Sequence, residues 1–94
     1  MSFFPTVEVT LDFLEYMFKE LDIWQNINNK YLKSKIIKKD PARDYPNSTS
    51  EIIKHFKPGG KHVATTHRIR DNKGSVLHWD AKDLRINDIK LWRV

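Results

Sequence analysis

Two histidines and one aspartate stand on neighbouring stretches of this chain whose side chains alternate between two sides. If Asn72 and Lys73 form the turn between the stretches, His67 lies opposite His78, and Asp80 lies two residues further along that face. Imidazoles titrate near neutral pH, so this trio can act as an acid and base pair on a phosphodiester. It can also bind a metal ion through two histidines and a carboxylate. The third alternative is that both rings are half-buried and hydrogen-bonded to hydroxyl or carbonyl groups.

The other side of the same hairpin combines cations with an aromatic ring. It carries His62, Thr66, Arg68, Arg70, Ser75, Leu77 and Trp79. Arginines can fork onto phosphates while an exposed tryptophan stacks on an unpaired base, which is typical of nucleic-acid binding. Burying a tryptophan removes about 200 Å² from water, so we expect Trp79 inward and the two histidines nearer solvent. Both hypotheses depend on the register, because a shift of one residue would pair His67 with Trp79.

The densest basic segment precedes this hairpin. It has five lysines in ten residues and no acidic residue: Lys30, Lys33, Lys35, Lys38 and Lys39. These lysines either line a phosphate-binding groove or form an ordinary solvated surface. Lys61 follows two glycines, but a phosphate-binding loop needs glycines that follow a strand and lead into a helix. Here the predicted order is reversed, so the glycines are expected to end a helix, and Lys61 is kept only as a candidate phosphate contact.

Helices are predicted in the first half of the chain. Apolar residues recur three or four positions apart over residues 10 to 24, with Thr10 placed to cap the helix. From Gln25 to Lys39 the pattern is weaker, and we favour a continued or second helix. Two prolines make Asp40 to Asn47 a surface connection. Ser48 and Glu51 have the spacing of a capping box, which predicts a two-turn helix before Pro58.

Strands are predicted after Gly60, where the period changes to two. His62 to Arg70 and Ser75 to Asp80 form the first hairpin, with a turn at Asp71 to Gly74. Leu84 to Ile86 and Ile89 to Val94 form a second. The predicted fold is therefore a single α+β domain over residues 1 to 94. Its N-terminal helices, in about residues 6 to 57, pack on a three- or four-stranded antiparallel β-meander in about residues 61 to 94.

Composition limits the class of protein. The chain has 94 residues, eleven of them aromatic, and is 39% hydrophobic, which predicts one folded core. It has no cysteine, no basic segment leading into an apolar run and no long apolar stretch, so we expect a cytoplasmic protein outside the membrane. The net charge of +5 is uneven, because residues 1 to 29 carry five acidic residues and one lysine. The strongly basic remainder favours a polyanionic partner.

The predicted order of elements, helices first and then an antiparallel sheet with a basic hairpin that bears histidines, resembles the layout of small ribonuclease toxins such as the RelE family. The resemblance is one of topology. Residues 62 to 86, which include His67, Arg68, Gly74, His78 and Asp80, contain no diagnostic motif of that family. No functional residue is carried over from it.

Three functional hypotheses follow from the sequence. The leading one is a non-enzymatic nucleic-acid-binding or regulatory module, without cofactor, that contacts RNA or DNA through the lysine segment, Lys61, Arg68 and Arg70. The second is a metal-independent ribonuclease that uses His67 and His78, with Asp80 orienting one ring. The third is a protein-interaction subunit that forms a homodimer through its C-terminal strand, where Ile89 to Val94 would present an exposed edge.

Overall fold

A computed structural model describes residues 5 to 94, so the first four residues of the predicted domain lie outside the description. The chain forms six strands and two short helices. In chain order these are β1 (Thr6–Val9), α1 (Leu11–Glu20), α2 (Ile23–Asn28), β2 (Lys33–Pro41), β3 (Ser48–Phe56), β4 (His62–Asp71), β5 (Val76–Ile86) and β6 (Ile89–Arg93). Among the described residues, no helix is both long enough and apolar enough to span a membrane.

All the described strands belong to one sheet, in the order β1-β6-β5-β4-β3-β2. The strands β2 to β6 form a consecutive antiparallel meander, and β1 adds to β6 in parallel. The C-terminal strand β6 is therefore enclosed between β1 and β5. The hypothesis of a homodimer through this strand loses the free edge on which it depended.

The predicted fold class is wrong. Strands take up 53% of the structure and helices 18%, and the sheet is mixed and six-stranded rather than an antiparallel meander of three or four strands beneath N-terminal helices. A strand, β1, precedes the helices, so the order of elements also departs from the layout likened to the ribonuclease toxins. The predicted helix at Gln25 to Lys39 ends at Asn28 and is followed by β2.

Strand β3 replaces the two-turn helix predicted from Ser48 and Glu51. The inward residues of β3 include Glu51 and His55, both fully buried, with Ile53 between them. Because two of these three inward residues are polar, β3 shows no alternation of apolar and polar residues. The neighbouring Ile52 and Ile53 then gave the segment a helical appearance although they point to opposite sides of a strand.

The helix cap at Thr10 and the two hairpins are as predicted, whereas the first helix is shorter than predicted. The Oγ1 atom of Thr10 accepts a hydrogen bond of 3.1 Å from the backbone N–H of Phe13 at the start of α1. The predicted helix over residues 10 to 24 is interrupted at Asp22, whose φ of 55° is left-handed, so α2 forms a separate helix. The first hairpin is β4 and β5. Asn87 and Asp88 turn the chain from β5 to β6, both with positive φ, as in a type I′ turn.

The hydrophobic core lies between the two helices and one side of the sheet, which we call the helix face. Leu14 and Phe18 of α1, both fully buried, pack with Ala64, Ala81 and Leu84 of the sheet. The opposite side of the sheet, which we call the open face, carries Lys35, Lys54, His67, His78 and Asp80 among its side chains. Residues that alternate along one strand therefore lie in two different environments.

Two phenylalanines of α1 test the position of this core. We expect Phe18→Ala to lower the free energy of unfolding by about 3–5 kcal/mol, because it empties a fully buried site. Phe13 is 45% exposed, so Phe13→Ala should lower the free energy of unfolding by less than about 1 kcal/mol. Urea unfolding followed by circular dichroism measures both. Equal losses for the two variants would contradict the described packing of α1.

Candidate functional site

The predicted pair of histidines meets on the open face, although in a different register from the one predicted. His67 lies opposite Asp80 and His78 lies opposite Ile69, so the hairpin is shifted by two residues. A shift of two keeps every side chain on its own face, whereas a shift of one would have separated the rings. The shift arises in two steps. Arg70 lies opposite Val76, one residue out of the predicted register, and an irregularity between Ile69 and Arg70 adds the second residue. At the turn, the side chain of Asp71 accepts from the backbone N–H groups of Lys73 and Ser75, each at 2.9 Å.

The two imidazoles lie at the centre of a row of polar side chains from four strands, β3 to β6. Their ring centroids are 6.4 Å apart with the rings at 69° to each other. The Nε2 atom of His67 shares a hydrogen bond of 2.6 Å with the hydroxyl of Ser50, and Nε2 of His78 bonds the carboxylate of Asp80. Arg93 donates to the same carboxylate at 3.4 Å. Asp80 thus orients the ring of His78, as the sequence predicted for one of the two rings, while Ser50 was missed.

Electrostatics favours the neutral form of His67. Burial lowers the pKa of this ring, and the positive charges of Lys82, Arg93 and His78 lower it further, while Asp80 opposes the shift. A neutral imidazole near pH 7 can accept a proton. His67 therefore has the state that a general base requires, and its nearest proton donor is the Ser50 hydroxyl.

A shallow cleft adjoins the histidines on the open face. It has a volume of about 560 Å³ and runs beside the connection between β2 and β3, with Lys38, Arg43, Ser50 and His67 on its walls. Asp40 and Asp44 also line it. Lys38 pairs with Asp40 at 3.7 Å, so the cleft carries two cationic and two acidic side chains beside the His67 ring.

Most of the lysine segment forms strand β2 rather than a helix, so its lysines are divided between the two faces of the sheet. Lys33, Lys35 and Lys38 lie opposite Phe56, Lys54 and Ile52 of β3 and share the open face with them. Lys39 lies opposite Glu51 and thus on the helix face, while Lys30 precedes β2 in a turn with φ of 67°. Lys61 lies at the turn between β3 and β4. Sequence analysis missed Lys54, because β3 was taken for a helix.

Arg68 and Arg70 do not accompany the lysines. Both lie on the helix face, where their Nε atoms donate to Oε1 of Glu51 at 2.9 Å and 2.8 Å, and Arg70 also donates to Oε2 at 2.6 Å. The side chain of Glu51 is 1% exposed. The expectation that these arginines join the lysines on one nucleic-acid-binding surface is therefore wrong, because a buried carboxylate that sequence analysis did not identify holds them on the other side.

Trp79 faces inward, as predicted from the large area that a buried tryptophan removes from water. It packs against the core, and its ring meets that of Trp24 edge to face at a centroid distance of 5.4 Å. The indole N–H donates to Oγ1 of Thr66 at 2.9 Å. That hydroxyl also bonds Nε2 of His55 at 2.7 Å, and Nδ1 of His55 bonds the Ser34 hydroxyl at 2.7 Å. The buried polar side chains of the helix face thus form connected hydrogen-bonded groups.

Two pKa shifts describe the charge state of this helix-face network. Burial alone would raise the pKa of Glu51, but the hydrogen bonds and positive charges of Arg70 and Arg68 outweigh it and hold the pKa below its usual value. Burial, assisted by the charges of His62 and Arg68, lowers the pKa of His55 to about 4. At neutral pH the network therefore holds a carboxylate between two arginines and a neutral imidazole.

Comparison with protein families, with curated proteins and with solved structures finds no match to this chain. Within residues 5 to 94, no group of three or more histidine, cysteine, aspartate or glutamate side chains has the arrangement of a metal site. Within the trio, Asp80 bonds His78, while His67 bonds Ser50 and lies 6.4 Å from His78 between ring centroids.

The buried imidazole makes stability depend on pH. In the unfolded chain His55 takes up a proton near pH 6.5, whereas in the folded protein it does so near pH 4, so the unfolded state binds more protons between these values. We expect the free energy of unfolding to fall by on the order of 2 kcal/mol between pH 7 and pH 5. His62 and His67, whose pKa values are also lowered, change stability in the same direction.

Urea unfolding at the two pH values measures this loss, and His55→Gln should reduce it. NMR titration of the ring carbons of His55 provides a direct check. A His55 ring that titrates near pH 6.5 in the folded protein would contradict the described burial.

Proposed function

We propose that this protein binds single-stranded nucleic acid on the open face of its sheet. The observation that carries the proposal is the group of Lys33, Lys35 and Lys54, which form no ion pair with any described residue, and in which Lys35 lies directly opposite Lys54. Like charges opposite each other on a sheet are destabilising. A phosphate backbone laid across β2 and β3 would neutralise them.

Aromatic rings accompany these cations along the open face. Phe56 lies opposite Lys33, and its ring is 5.4 Å from that of His62. Further along the same face, in β6, Trp92 has the ammonium groups of Lys90 and Lys82 at 4.9 Å and 5.6 Å from its ring centroid. Single-strand binders commonly combine a cationic groove with aromatic platforms for bases, and stacking of this kind tolerates many sequences.

Salt dependence tests the proposal. We expect the affinity for a single-stranded oligonucleotide of about 12 nucleotides to fall steeply with salt, because binding releases counterions. The triple variant Lys33→Gln, Lys35→Gln, Lys54→Gln should reduce the slope of log K against log salt by about 2, since each lost phosphate contact contributes about 0.7. Fluorescence anisotropy of a labelled oligonucleotide, repeated with RNA and DNA, gives the slopes.

A matched control variant distinguishes the effect of where the lysines lie from the effect of the protein's net charge. The control also removes three positive charges, one each from α1, the helix face of β2 and the β4–β5 turn, with the substitutions Lys19→Gln, Lys39→Gln and Lys73→Gln. This control should keep the wild-type slope to within about one phosphate contact. If both triple variants lower the slope equally, binding depends on net charge alone, and the proposed surface is wrong.

A second candidate function, cleavage of RNA, is favoured by the pairing of the histidines. The two rings are 6.4 Å apart between centroids, His78 is held by Asp80, and His67 lines the cleft that carries Lys38. In this mechanism His67 accepts the proton of a ribose 2′-hydroxyl, which attacks the adjacent phosphorus. His78 donates a proton to the departing 5′-oxygen, so a 2′,3′-cyclic phosphate forms and one phosphodiester bond breaks.

Cleavage is tested with RNA in the presence of a chelator. We expect His67→Ala and His78→Ala each to lower the rate by about 10²–10⁴-fold, because each removes one partner in proton transfer. His62→Ala removes a histidine of the open face that lies outside the pair, and at saturating RNA it should keep the wild-type rate. Equal cleavage by all of these proteins would assign the activity to a contaminating nuclease and exclude the catalytic function.

A further inference from the structure

A second cleft lies on the helix face, between the end of α2 and strands β2 to β5. Its volume is about 380 Å³. The walls combine apolar groups of Ile27, Ile36 and Ile53 with polar groups of Lys30, His55 and Arg68. No carboxylate lines it, since Glu51, the nearest acidic neighbour of Arg68 in the described chain, is buried beneath the arginines. The cleft therefore has an apolar body and cationic groups, within the size range of small-molecule sites.

The buried glutamate fixes how Arg68 faces this cleft. Only the Nε atom of Arg68 donates to Glu51, and within residues 5 to 94 its two terminal nitrogens donate to no side chain. By contrast, Arg70 binds both oxygens of Glu51. The guanidinium of Arg68 thus keeps its outer donors available in a fixed plane, which is the geometry that binds a carboxylate or phosphate in two places.

The neighbours of Arg68 define what accompanies the anion. The centre of its guanidinium lies 5.1 Å from the Trp79 ring centroid. His55, neutral and already bonded to Ser34 and Thr66, adds a buried polar wall without a competing negative charge. A planar group that enters between the isoleucines and Trp79 would bring an attached anionic group to the outer nitrogens of Arg68.

We propose that this cleft binds a small anionic molecule with a planar apolar body, the anionic group held by Arg68 and Lys30. The site is separate from the nucleic-acid surface, because Arg68 and the lysine group of β2 and β3 lie on opposite faces of the sheet. Phosphate and carboxylate both match the guanidinium plane. The shared requirement is a planar apolar body that carries an anionic group with two oxygens able to accept from the guanidinium, and the ligands used in the test decide between phosphate and carboxylate.

Titration with phenyl phosphate, benzoate, inorganic phosphate and neutral benzyl alcohol tests the site. The resonances to follow by NMR are the indole N–H of Trp79 and the Nε–H of Arg68, both fixed by hydrogen bonds. We expect saturable shifts with phenyl phosphate or benzoate, and binding at least about tenfold weaker for inorganic phosphate and benzyl alcohol. Stronger binding of phenyl phosphate would assign a phosphorylated ligand, and stronger binding of benzoate a carboxylate.

Two variants make the result specific. Arg68→Lys keeps the charge but loses the planar fork, so affinity should fall by more than about tenfold. Because Arg68 also contacts Glu51, Lys30→Gln serves as the variant that leaves the buried network intact, and it should weaken binding by about three- to tenfold. Lys35→Gln, on the open face, is the control and should bind as the wild type does.

Three results would overturn the proposal. These are no saturable shift at either resonance up to about 10 mM ligand, equal binding of benzyl alcohol, or an unchanged affinity in Lys30→Gln. None of them bears on oligonucleotide binding, which the triple lysine variant measures on the other face. Failure of this proposal and failure of the nucleic-acid proposal are therefore distinguishable.

Discussion

The buried carboxylate of Glu51 is the interaction on which the arrangement of both faces depends. A carboxylate in the protein interior is costly unless charged hydrogen bonds compensate, and removing one partner of a buried pair costs about 3–5 kcal/mol. Glu51 meets this requirement with Arg68 and Arg70 from the neighbouring strand. A shift of one residue in the register of β3 against β4 would turn Glu51 away from both arginines and leave the carboxylate unpaired. The polar pairing therefore fixes the register where the inward side of β3 offers little apolar patterning.

That register determines what the open face presents. With Glu51 held inward, Ser50 and Lys54 must point to the other side, because neighbouring positions alternate along a strand. Ser50 then lies close enough to bond His67, and Lys54 lies opposite Lys35. The candidate catalytic cluster and the lysine group thus have a common origin in the inward position of one acidic side chain.

The sequence predicted best where side-chain pattern and burial agree. Phe18 of α1 follows the helical period and was predicted in place. The strand β4 was also predicted in place, although its burial does not alternate, since Val63 to Thr66 are all buried. The turn at Asp71 to Gly74 was predicted, but the irregularity between Ile69 and Arg70 was not. The histidine pair still lies on one face because the total shift of register is even. Prediction failed for β3, where the burial of Glu51 and His55 reverses the usual relation between polarity and exposure. A single sequence does not reveal which acidic residue will be buried with two arginines.

The same buried carboxylate explains why net charge was an incomplete guide to the candidate surface. Arg68 and Arg70 were predicted to belong to a basic patch, but both form ion pairs with Glu51 on the helix face. The open face is left with lysines, whose compact, strongly hydrated charges suit contact with a mobile phosphate backbone. The helix face has arginine, whose rigid plane suits one anion in one orientation. Arg68 and Arg70 therefore lie on the opposite face of the sheet from Lys33, Lys35 and Lys54, and this separation begins at Glu51.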